Sequence, residues 1–551
     1  MLGAGRLAHH VLCALCGLVL TLALPPTGWW PLVFVLAPLF VVVARAERRR
    51  DALAAGFWFG LPFFAVYVLW LPRSFAELFG PAFWFVFPVM VALLALFWGL
   101  TCWGAWFLAG GRRGAPPGGR VLLTLPVLWV LVEWARTQGY FAFPWGTLGY
   151  AWLDSAPGQL AEHVGVYGLS LLATLGAALL AWPFASGNPA SGGASTANGA
   201  PGSSGVPGRA SAGRLADAGL ALLALVALLG LAFWQGALLL PTASVDAGPV
   251  AQVTTGESTP SPVRRALLVQ GNVDPFARAA SAASELEIHL DLTRAAAAAE
   301  EFDLVVWPEG AVIGYRLDTG DAGSLRSLIT AAAPGANFIV GGRAYEGGRG
   351  DSFNSLFSLS NSALLGRYDK QYLVPFGERW PLIDQLEGLY RAVFRLFGLP
   401  LLASTLPGAG STPLATTVGP VAAFICYESV FPQVQRQMVA QGAQVLVLGT
   451  NDAWFGVGNG ARQHFDMGRM RAIETRRWLL RAGNDGVTAG VDPYGRVVAE
   501  IPRGAAGTLA VSFELREGAT LWVRYGQWLP AVLAAWLLVW SLILMRAQRR
   551  A

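Results

Sequence analysis

Eight apolar runs constrain this sequence more than any other feature. About 20 helical residues are needed to cross roughly 30 Å of hydrocarbon, and most of the runs reach that length. They lie near residues 8–25, 29–44, 53–71, 83–109, 121–136, 163–184, 216–240 and 526–545, of which the second and fifth are short. Only 13% of the 551 residues are charged, about half the usual share for a soluble domain. We therefore predict a polytopic α-helical membrane bundle of about eight spans.

The arginines predict how these spans are oriented. They concentrate in every second connection, at Arg45, Arg48, Arg49, Arg50, Arg112, Arg113, Arg120, Arg209, Arg214, Arg546, Arg549 and Arg550. Basic connections stay in the cytoplasm, so both termini are predicted to be cytoplasmic and the long segment before the last span to lie outside. Because the basic residues adjoin apolar runs rather than one soluble face, the membrane is the expected partner and nucleic acid is not.

Composition divides the chain into four parts. Residues 1–241 would hold spans one to seven, including a Gly-, Ser-, Ala- and Pro-rich segment, 186–213, that is predicted to be a disordered cytoplasmic loop. A similar stretch, 242–262, is predicted to be a tether that joins span seven to the extracytoplasmic domain. Residues 263–516 would form the extracytoplasmic domain, and 517–551 the final span with a basic cytoplasmic tail.

Residues 263–516 alternate short β-rich runs with helical ones. The predicted helices are 281–300, 322–333, 432–441 and 461–478, and the predicted strands are RALLVQ, FDLVVWP, NFIVGG, SLFSLS, VAAFIC, QVLVLG, GVTAGV and TLAVSF. This pattern predicts an α/β domain of about 250 residues, which is large enough for its own core.

Three predicted strands end in reactive or charged side chains: Glu309, Lys370 and Cys426. Lys370 is the only lysine in the chain, and the other three cysteines lie in apolar runs, so a disulfide framework or zinc cluster is not expected. A thiol can act as nucleophile, a glutamate can take its proton, and a lysine can hold an oxyanion. Two alternatives stay open: a cysteine-histidine pair with the distant His464, and a purely structural Glu309–Lys370 ion pair.

The motifs around these residues resemble known families. WPE at Glu309 and CYE at Cys426 resemble the carbon-nitrogen hydrolase, or nitrilase, superfamily, whose fold is a four-layer αββα sandwich. More narrowly, YDKQYLVPFGE at 368–378 and NDAWFG at 451–456 resemble apolipoprotein N-acyltransferase. EWARTQGYFAFPWGTLGY, beside the fifth span, is similar to the same family, so the resemblance covers nearly the whole chain.

The resemblance implies a ping-pong acyl transfer. Cys426 would take a fatty acyl chain from a phospholipid, typically phosphatidylethanolamine, and pass it to the α-amino group of the N-terminal diacylglyceryl-cysteine of a lipoprotein. Glu309 would be the general base and Lys370 the oxyanion stabiliser. Three further residues are implied as essential neighbours: Glu378, Tyr427 and Glu428. No metal or soluble cofactor is implied, and the expected setting is a monomer in the bacterial cytoplasmic (inner) membrane.

The sequence departs from the family pattern after its first predicted strand. Gln270-Gly271-Asn272 is followed by residues 273–278, VDPFAR, where family members carry a Lys-Trp pair. Phe276 is the one aromatic residue in that stretch.

The segment 380–402 suggests how a lipid could reach Cys426. Its apolar residues recur at spacings of three and four, and Leu389, Phe394 and Phe397 belong to this face. The face could pack on the domain core, or it could form an interfacial helix or lid that lines the path of the acyl chain. Trp454 is assigned to the wall of the substrate pocket. His464 lies among arginines on a predicted helix, which indicates a solvated basic face.

Two other function classes remain open at this stage. A membrane-tethered amidase or nitrilase would use the same three residues but pass its thioester to water. A transport or scaffold protein would carry an inert extracytoplasmic domain. The acceptor distinguishes the first from a transferase, and the few charged residues in the spans argue against an ion path.

Overall fold

A computed structural model describes residues 4–81, 83–185, 208–241, 262–274, 282–345, 352–380, 382–396 and 405–550. The predicted cytoplasmic loop therefore lies outside the described residues as far as residue 207, and the tether lies outside them as far as 261.

In the part of the chain that the structure describes, nine α-helices form the apolar region. They are α1 (Ala4–Leu20), α2 (Leu36–Ala44), α3 (Arg49–Tyr67), α4 (Trp70–Phe79), α5 (Phe83–Leu108), α6 (Val121–Ala135), α7 (Ala161–Ala185), α8 (Gly208–Leu238) and, at the C-terminus, α15 (Trp528–Arg550). Within the described residues, six helices are long and apolar enough to cross a membrane. The seventh candidate is the pair α3 and α4, which is bent by 53°. The chain is thus a multi-pass membrane protein, and its described residues hold six to seven candidate spans where about eight were expected.

The shortfall comes from the second predicted span. Residues Trp30–Ala44 are apolar but form only a 3₁₀ turn followed by α2, and their length falls short of the roughly 20 residues that a span requires. The fifth predicted span, although short, is present as Gly118–Ala135.

Small residues let the helices of the bundle approach closely. Gly56 of α3 faces the backbone of Trp98 on α5, and a Cβ atom at Gly56 would lie 2.8 Å from the Sγ atom of Cys102. Close contact between backbones is the usual basis of helix association in lipid, where no hydrophobic force drives it. Cys102 is therefore a buried packing residue at a helix crossing.

The strands among the described residues form two mixed sheets. One has the strand order β11-β1-β2-β3-β4-β5 and the other β10-β9-β8-β7-β6. The strands are β1 (Val263–Gln270), β2 (Leu304–Val306), β3 (Asn337–Tyr345), β4 (Ser352–Ser360), β5 (Ala363–Asp369), β6 (Val421–Ile425), β7 (Val445–Thr450), β8 (Leu479–Gly483), β9 (Thr488–Val491), β10 (Val497–Ile501) and β11 (Gly507–Glu514). Strands β1, β2 and β3 run parallel, as do β6, β7 and β8.

The two sheets pack face to face between two layers of helices. Alternate residues of β1 show this: Ala266 and Leu268 belong to the core shared with β6 and β7, whereas Leu267 and Val269 belong to a core shared with the outer helices. The helices of this part are α9 (Ala282–Ala297), α10 (Gly323–Thr330), α11 (Ile383–Leu396), α12 (Pro432–Ala440), α13 (Gly460–Thr475) and α14 (Leu521–Tyr525). The result is an αββα sandwich.

Helix α13 lies between the sandwich and the membrane bundle. It contacts α7 on the bundle side and α12 on the sandwich side, and every residue from Gln463 to Thr475 is buried. The expectation of a solvated basic face around His464 was wrong. Arg469, Arg471 and Glu474 of this helix contact the bundle, at Asp154, Tyr150 and Val166, so this face of the helix is an interface and not a boundary with water.

Candidate active site

Cys426 begins a tight turn at the end of β6. Its backbone φ is +48°, a left-handed conformation that is rare for residues other than glycine. The following residues, Cys426–Val430, form a 3₁₀ turn, and the cysteine is only 7% exposed. Strain of this kind persists only where the surroundings fix it, and it is frequent at functional sites.

Glu309 follows β2 and is held by three hydrogen-bond donors. Its Oε1 accepts from Nδ2 of Asn354 at 2.7 Å and lies 3.4 Å from Nζ of Lys370. Its Oε2 accepts from the backbone N–H of Asn451 at 3.0 Å. The carboxylate is therefore fixed in position between the two sheets, since Asn354 lies on β4 and Asn451 follows β7.

Lys370 follows β5 and is 1% exposed. Its Nζ forms an ion pair with Oε2 of Glu378 at 2.9 Å in addition to the contact with Glu309. Burial alone lowers the pKa of this ammonium, but the two carboxylates outweigh burial and raise the pKa of Lys370 above its ordinary value. The lysine is thus a permanent positive charge at neutral pH.

Glu378 completes a four-residue polar cluster with Glu309, Lys370 and Asn354. Its Oε1 accepts from Nδ2 of Asn354 at 2.8 Å, and its Oε2 accepts from the backbone N–H of Val374 at 2.9 Å. Burial favours the protonated form, but Lys370 and these hydrogen bonds lower the pKa of Glu378 below its ordinary value. One ammonium therefore balances two buried carboxylates.

The thiol of Cys426 is protonated at neutral pH in this setting. Burial, followed by the negative charge of Glu309, raises the pKa of Cys426 well above its ordinary value, and Lys370 offsets only part of that rise. A preformed thiolate is therefore not the ground state. A nucleophile in this site needs a base that removes its proton during the reaction.

Glu428 braces the backbone on both sides of the cysteine. One carboxylate oxygen accepts from the backbone N–H of Gln371 at 2.7 Å and from the hydroxyl of Tyr368 at 2.8 Å, and the other accepts from Ile425 N–H at 2.8 Å. Burial raises the pKa of Glu428 to about 7, although the hydrogen bonds oppose the rise. The side chain joins the residue after Lys370 to the residue before Cys426.

Tyr427 connects the site to the membrane bundle. Its hydroxyl donates to the carbonyl of Ala142 at 2.6 Å. Its ring stacks on Trp145, with centroids 5.9 Å apart and planes 14° apart. Both partners lie in the connection between α6 and α7, so the residue next to the cysteine is held by the bundle and not by the sandwich alone.

His464 lies under the turn that carries Cys426. Its Nε2 is 2.9 Å from the carbonyl oxygen of Cys426, and its Nδ1 is 3.0 Å from Oδ1 of Asp452. Nη2 of Arg481 donates to the other oxygen of Asp452 at 2.5 Å. Burial raises the pKa of Asp452, but Arg481 and the hydrogen bonds outweigh burial and lower this pKa below its ordinary value. The imidazole contacts the backbone of the cysteine, and no described contact joins it to Sγ.

The expected lid residues fall into different environments. Phe394 is buried and packs edge-to-face on Trp380, with centroids 4.8 Å apart. Leu389 and Trp454 are exposed by 58% and 40%. Phe397 lies outside the described residues. Phe394 is therefore an anchor of α11 and not part of its outer face.

Two comparisons with known proteins bear on this site. Residues 265–520 match the carbon-nitrogen hydrolase family, and residues 16–179 match the apolipoprotein N-acyltransferase N-terminal domain. An apolipoprotein N-acyltransferase from Pseudomonas aeruginosa (strain UCBPP-PA14) is 32% identical over 97% of this chain and 95% of its own length. The chain belongs to the apolipoprotein N-acyltransferase family.

Other relatives of the same name agree with this assignment. Those from Methylococcus capsulatus and Geobacter metallireducens are 32% and 30% identical over 94% of this chain. Among solved structures, a carbon-nitrogen hydrolase from Helicobacter pylori G27 is 16% identical, covers 46% of this chain and 89% of its own, and has a TM-score of 0.34. An amidase from Nesterenkonia is 19% identical, covers 46% and 90%, and also has a TM-score of 0.34.

The structure brings together all six residues expected in the apolipoprotein N-acyltransferase site. It also adds partners to which the sequence analysis gave no role: Asn354, Arg481, and Asn451, Asp452 and Trp145 from the quoted motifs. Asn354 had a detectable signal, because an amide within the buried apolar strand FNSLFSLS needs a polar partner. Phe276, in the stretch where family members carry a tryptophan, lies outside the described residues. Within the described residues, no three His, Cys, Asp or Glu side chains are grouped so as to hold a metal ion.

Proposed function

We propose that this chain transfers a fatty acyl chain from a phospholipid to the α-amino group of the N-terminal diacylglyceryl-cysteine of a lipoprotein, through a thioester on Cys426. Membership of the apolipoprotein N-acyltransferase family supports the reaction class. The observation that carries the residue assignment is the fixed position of Glu309, which three donors hold beside Lys370.

In the first half-reaction Glu309 is the proposed general base. It accepts the proton of Sγ while the sulfur attacks the ester carbonyl carbon of the phospholipid. Lys370 stabilises the resulting oxyanion. When the ester C–O bond breaks, the lysophospholipid alkoxide takes the proton from Glu309, and the acyl group remains on Cys426.

In the second half-reaction the free α-amine of the lipoprotein attacks the thioester carbonyl. Glu309 takes a proton from the amine, and the C–S bond breaks with return of that proton to the sulfur of Cys426. The raised thiol pKa supports this scheme, because a sulfur that strongly prefers its proton leaves only when a proton donor is adjacent.

The proposed surroundings follow from the two ends of the bundle. At one end, Arg45 donates to the carbonyl of Phe184 at 2.6 Å, and Trp106 donates to the carbonyl of Ala46 at 2.7 Å. These two hydrogen bonds bring the connections that carry the arginines together at this end of the bundle. The sandwich contacts the other end, through Ala142 and Tyr427. The positive-inside rule then supports an extracytoplasmic catalytic domain, comprising residues 263–516, on a bacterial inner membrane.

Two finer points belong to the same proposal. Phosphatidylethanolamine is the proposed donor. A single chain is the proposed active unit, because Glu309, Lys370 and Cys426 all come from one chain. Leu389 and Trp454, which are both exposed, are proposed to contact the acyl chain.

The deciding experiment is intact-mass analysis of the purified protein after incubation with phosphatidylethanolamine. We expect an acyl adduct that neutral hydroxylamine removes and that disappears when a diacylated lipopeptide is added. Cys426→Ala should form no adduct, and Cys426→Ser should form at most an ester that resists neutral hydroxylamine.

Two results would contradict the proposal. An adduct that decays equally fast without the lipopeptide would identify a hydrolase that passes its thioester to water. Failure to form any adduct from phosphatidylethanolamine, phosphatidylglycerol or phosphatidylcholine would exclude a phospholipid donor.

A further inference from the structure

Gln463 is a buried junction between the bent span and the α6–α7 connection. Its Oε1 accepts from the indole N–H of Trp70 at 3.0 Å and from that of Trp145 at 3.1 Å. Its Nε2 donates to the carbonyl of Tyr67 at 3.0 Å. Tyr67 ends α3 and Trp70 begins α4, so a single amide at 1% exposure spans the 53° bend.

The bend needs such a partner because it interrupts a helix. Where α3 ends, its last carbonyls lose their partners within the helix, and a buried carbonyl without a donor is costly. The side chain of Gln463 supplies the donor to Tyr67 while accepting two indole N–H groups that are equally buried. Three of the four hydrogen bonds available to this amide are thus used to join parts of the bundle to α13.

The junction continues to the nucleophile through Trp145. This indole is fully buried, and its outer face is covered by Phe143 at a centroid distance of 4.9 Å. The ring of Tyr427, which is adjacent in sequence to Cys426, also stacks on this indole, and Trp70 and Phe455 are further ring neighbours. Arg136 fixes the same connection by donating to the carbonyls of Phe143 and Trp145 at 2.9 and 2.6 Å.

The next residue of α13 reaches the nucleophile from the opposite side. His464 contacts the Cys426 carbonyl directly and also lies 2.7 Å from Oγ of Ser429. Two consecutive residues of α13 therefore reach the site: Gln463 contacts Trp145, on which Tyr427 stacks, and His464 contacts the backbone of Cys426. Neither side chain has a described contact with the cluster of Glu309, Lys370 and Glu378.

We infer that Gln463 and His464 are positioning residues which tie the geometry of the Cys426 turn to the bent span of the membrane bundle. The inference rests on the proposed function only in that Cys426 is taken as the nucleophile. It adds that the reactivity of this thiol depends on a bundle element, Tyr67–Trp70, that precedes it by more than 350 residues. The φ of +48° at Cys426 is the conformation that this link maintains.

The test compares Gln463→Met with Gln437→Met in the full-length protein in detergent. Both replace a glutamine on a helix of the sandwich, but Gln437 is exposed on α12. The first readout is the rate of alkylation of Cys426 by iodoacetamide as a function of pH, which needs no substrate. The second is the kcat and KM of acyl transfer from phosphatidylethanolamine to a diacylated lipopeptide.

We expect Gln463→Met to lower the alkylation rate and kcat by about 10-fold to 100-fold, the range for a misplaced reacting group, with little change in KM. Gln437→Met should match the wild type in both readouts. Unchanged alkylation and kcat in a folded Gln463→Met protein would overturn the inference.

A milder variant covers the case in which Gln463→Met does not fold. Trp70→Phe keeps an aromatic ring against Trp145 and Phe455 but removes the N–H that reaches Gln463. It should lower the alkylation rate severalfold. Where Gln463→Met folds, the combination of the two should add nothing further, since both remove the same hydrogen bond. Fully additive effects, or no effect of Trp70→Phe, would contradict the link.

The two inferences can fail separately. If Cys426 forms no acyl adduct but its alkylation still depends on Gln463, the proposed substrate is wrong and the link stands. If the adduct forms normally and alkylation does not respond to Gln463→Met or Trp70→Phe, the link is wrong and the proposed function stands.

Discussion

The ammonium of Lys370 forms its shorter ion pair with Glu378, at 2.9 Å between Nζ and Oε2. The contact with Glu309 is longer, at 3.4 Å. Glu378 therefore shares the charge of the lysine with Glu309, which leaves Glu309 available to accept a proton. Because a second carboxylate is present, the base Glu309 and the oxyanion stabiliser Lys370 can lie close together without forming a short ion pair with each other.

Glu378→Gln tests this division of roles. Without the second carboxylate, Lys370 should close onto Glu309 and make it a weaker base. We expect the rate of acyl-enzyme formation to fall by about 10-fold to 100-fold, a typical share for general-base assistance, with a smaller change in KM. Single-turnover acylation measured by intact mass checks this, with the exposed Glu300→Gln as the matched control. An unchanged rate would show that Glu378 has no such role.

Glu309→Gln separates proton transfer from charge. Burial and then the charge of Glu309 raise the pKa of the Cys426 thiol, so removal of the charge lowers this pKa and increases the thiolate fraction at a given pH. Alkylation of Cys426 by iodoacetamide near pH 9 should become faster.

Acylation by phospholipid should respond to Glu309→Gln in the opposite direction. It should fall by about 10²-fold to 10⁴-fold, since the base is lost. Opposite signs in the two assays are the expected signature. A parallel loss in both would mean that the glutamine disturbs the site as a whole, and a parallel gain would exclude Glu309 as the base.

Helix α11 gives a third prediction, because its apolar residues are of two kinds. Leu389 is 58% exposed and Phe394 is 6% exposed against Trp380. Arg379 binds the hydroxyl of Tyr140 at 3.0 Å, which holds this segment beside the end of α6. A face of this kind at a membrane surface suits contact with lipid.

Leu389→Asp should therefore lower acylation by phospholipid about 10-fold, the cost of charging a lipid-facing position, while alkylation of Cys426 by iodoacetamide is unchanged. Gln385→Asp, on an exposed polar position of the same helix, is the control. Phe394→Asp should instead detach α11 and make it sensitive to protease. Equal acylation by Leu389→Asp and wild type would assign this face to packing or to solvent.

Much of this architecture follows from the sequence because the signals are local. Apolar length predicts the spans, and β-rich runs predict eight of the eleven strands. Strands β8 and β10 escaped because each has only five residues and carries a charge, as in LLRAG, where Arg481 is buried against Asp452. Strand β5, which carries Arg367 and Asp369, was recognised only as the run that precedes Lys370. The second apolar run failed as a span because a turn at Trp30–Val35 uses up its length.

Only the residues of the site that lie in recognisable sequence motifs could be predicted. Glu309, Lys370 and Cys426 stand out in sequence because each follows an apolar strand. The roles of Asn354 and Gln463 depend on partners that lie 45 and 393 residues away. The local sequence indicates at most that the amide of Asn354 needs a partner, and not which residue that partner is. His464 was misassigned because the sequence does not reveal that α13 is enclosed by the bundle.

That enclosed helix also predicts a pH dependence of stability. Glu474 is buried on α13, where its Oε1 accepts from the backbone N–H of Val166 at 2.9 Å, and Arg471 lies 3.2 Å from Oε2. Burial raises the pKa of Glu474 to about 7, although Arg471 opposes the rise. In the unfolded chain the same group titrates near 4.3.

The sign follows from proton binding in the two states. Between about pH 4.3 and pH 7 the folded protein holds a proton on Glu474 that the unfolded chain has released, so stability falls as the pH rises through this range. At most this costs about 4 kcal/mol, since one pKa unit corresponds to about 1.4 kcal/mol. Glu474→Gln removes the dependence. The difference in thermal midpoint, variant minus wild type, should therefore be a few degrees larger at pH 8 than at pH 5. The exposed control Glu300→Gln should show the same difference at both pH values. The same result for Glu474→Gln would show that Glu474 keeps an ordinary pKa in the folded protein.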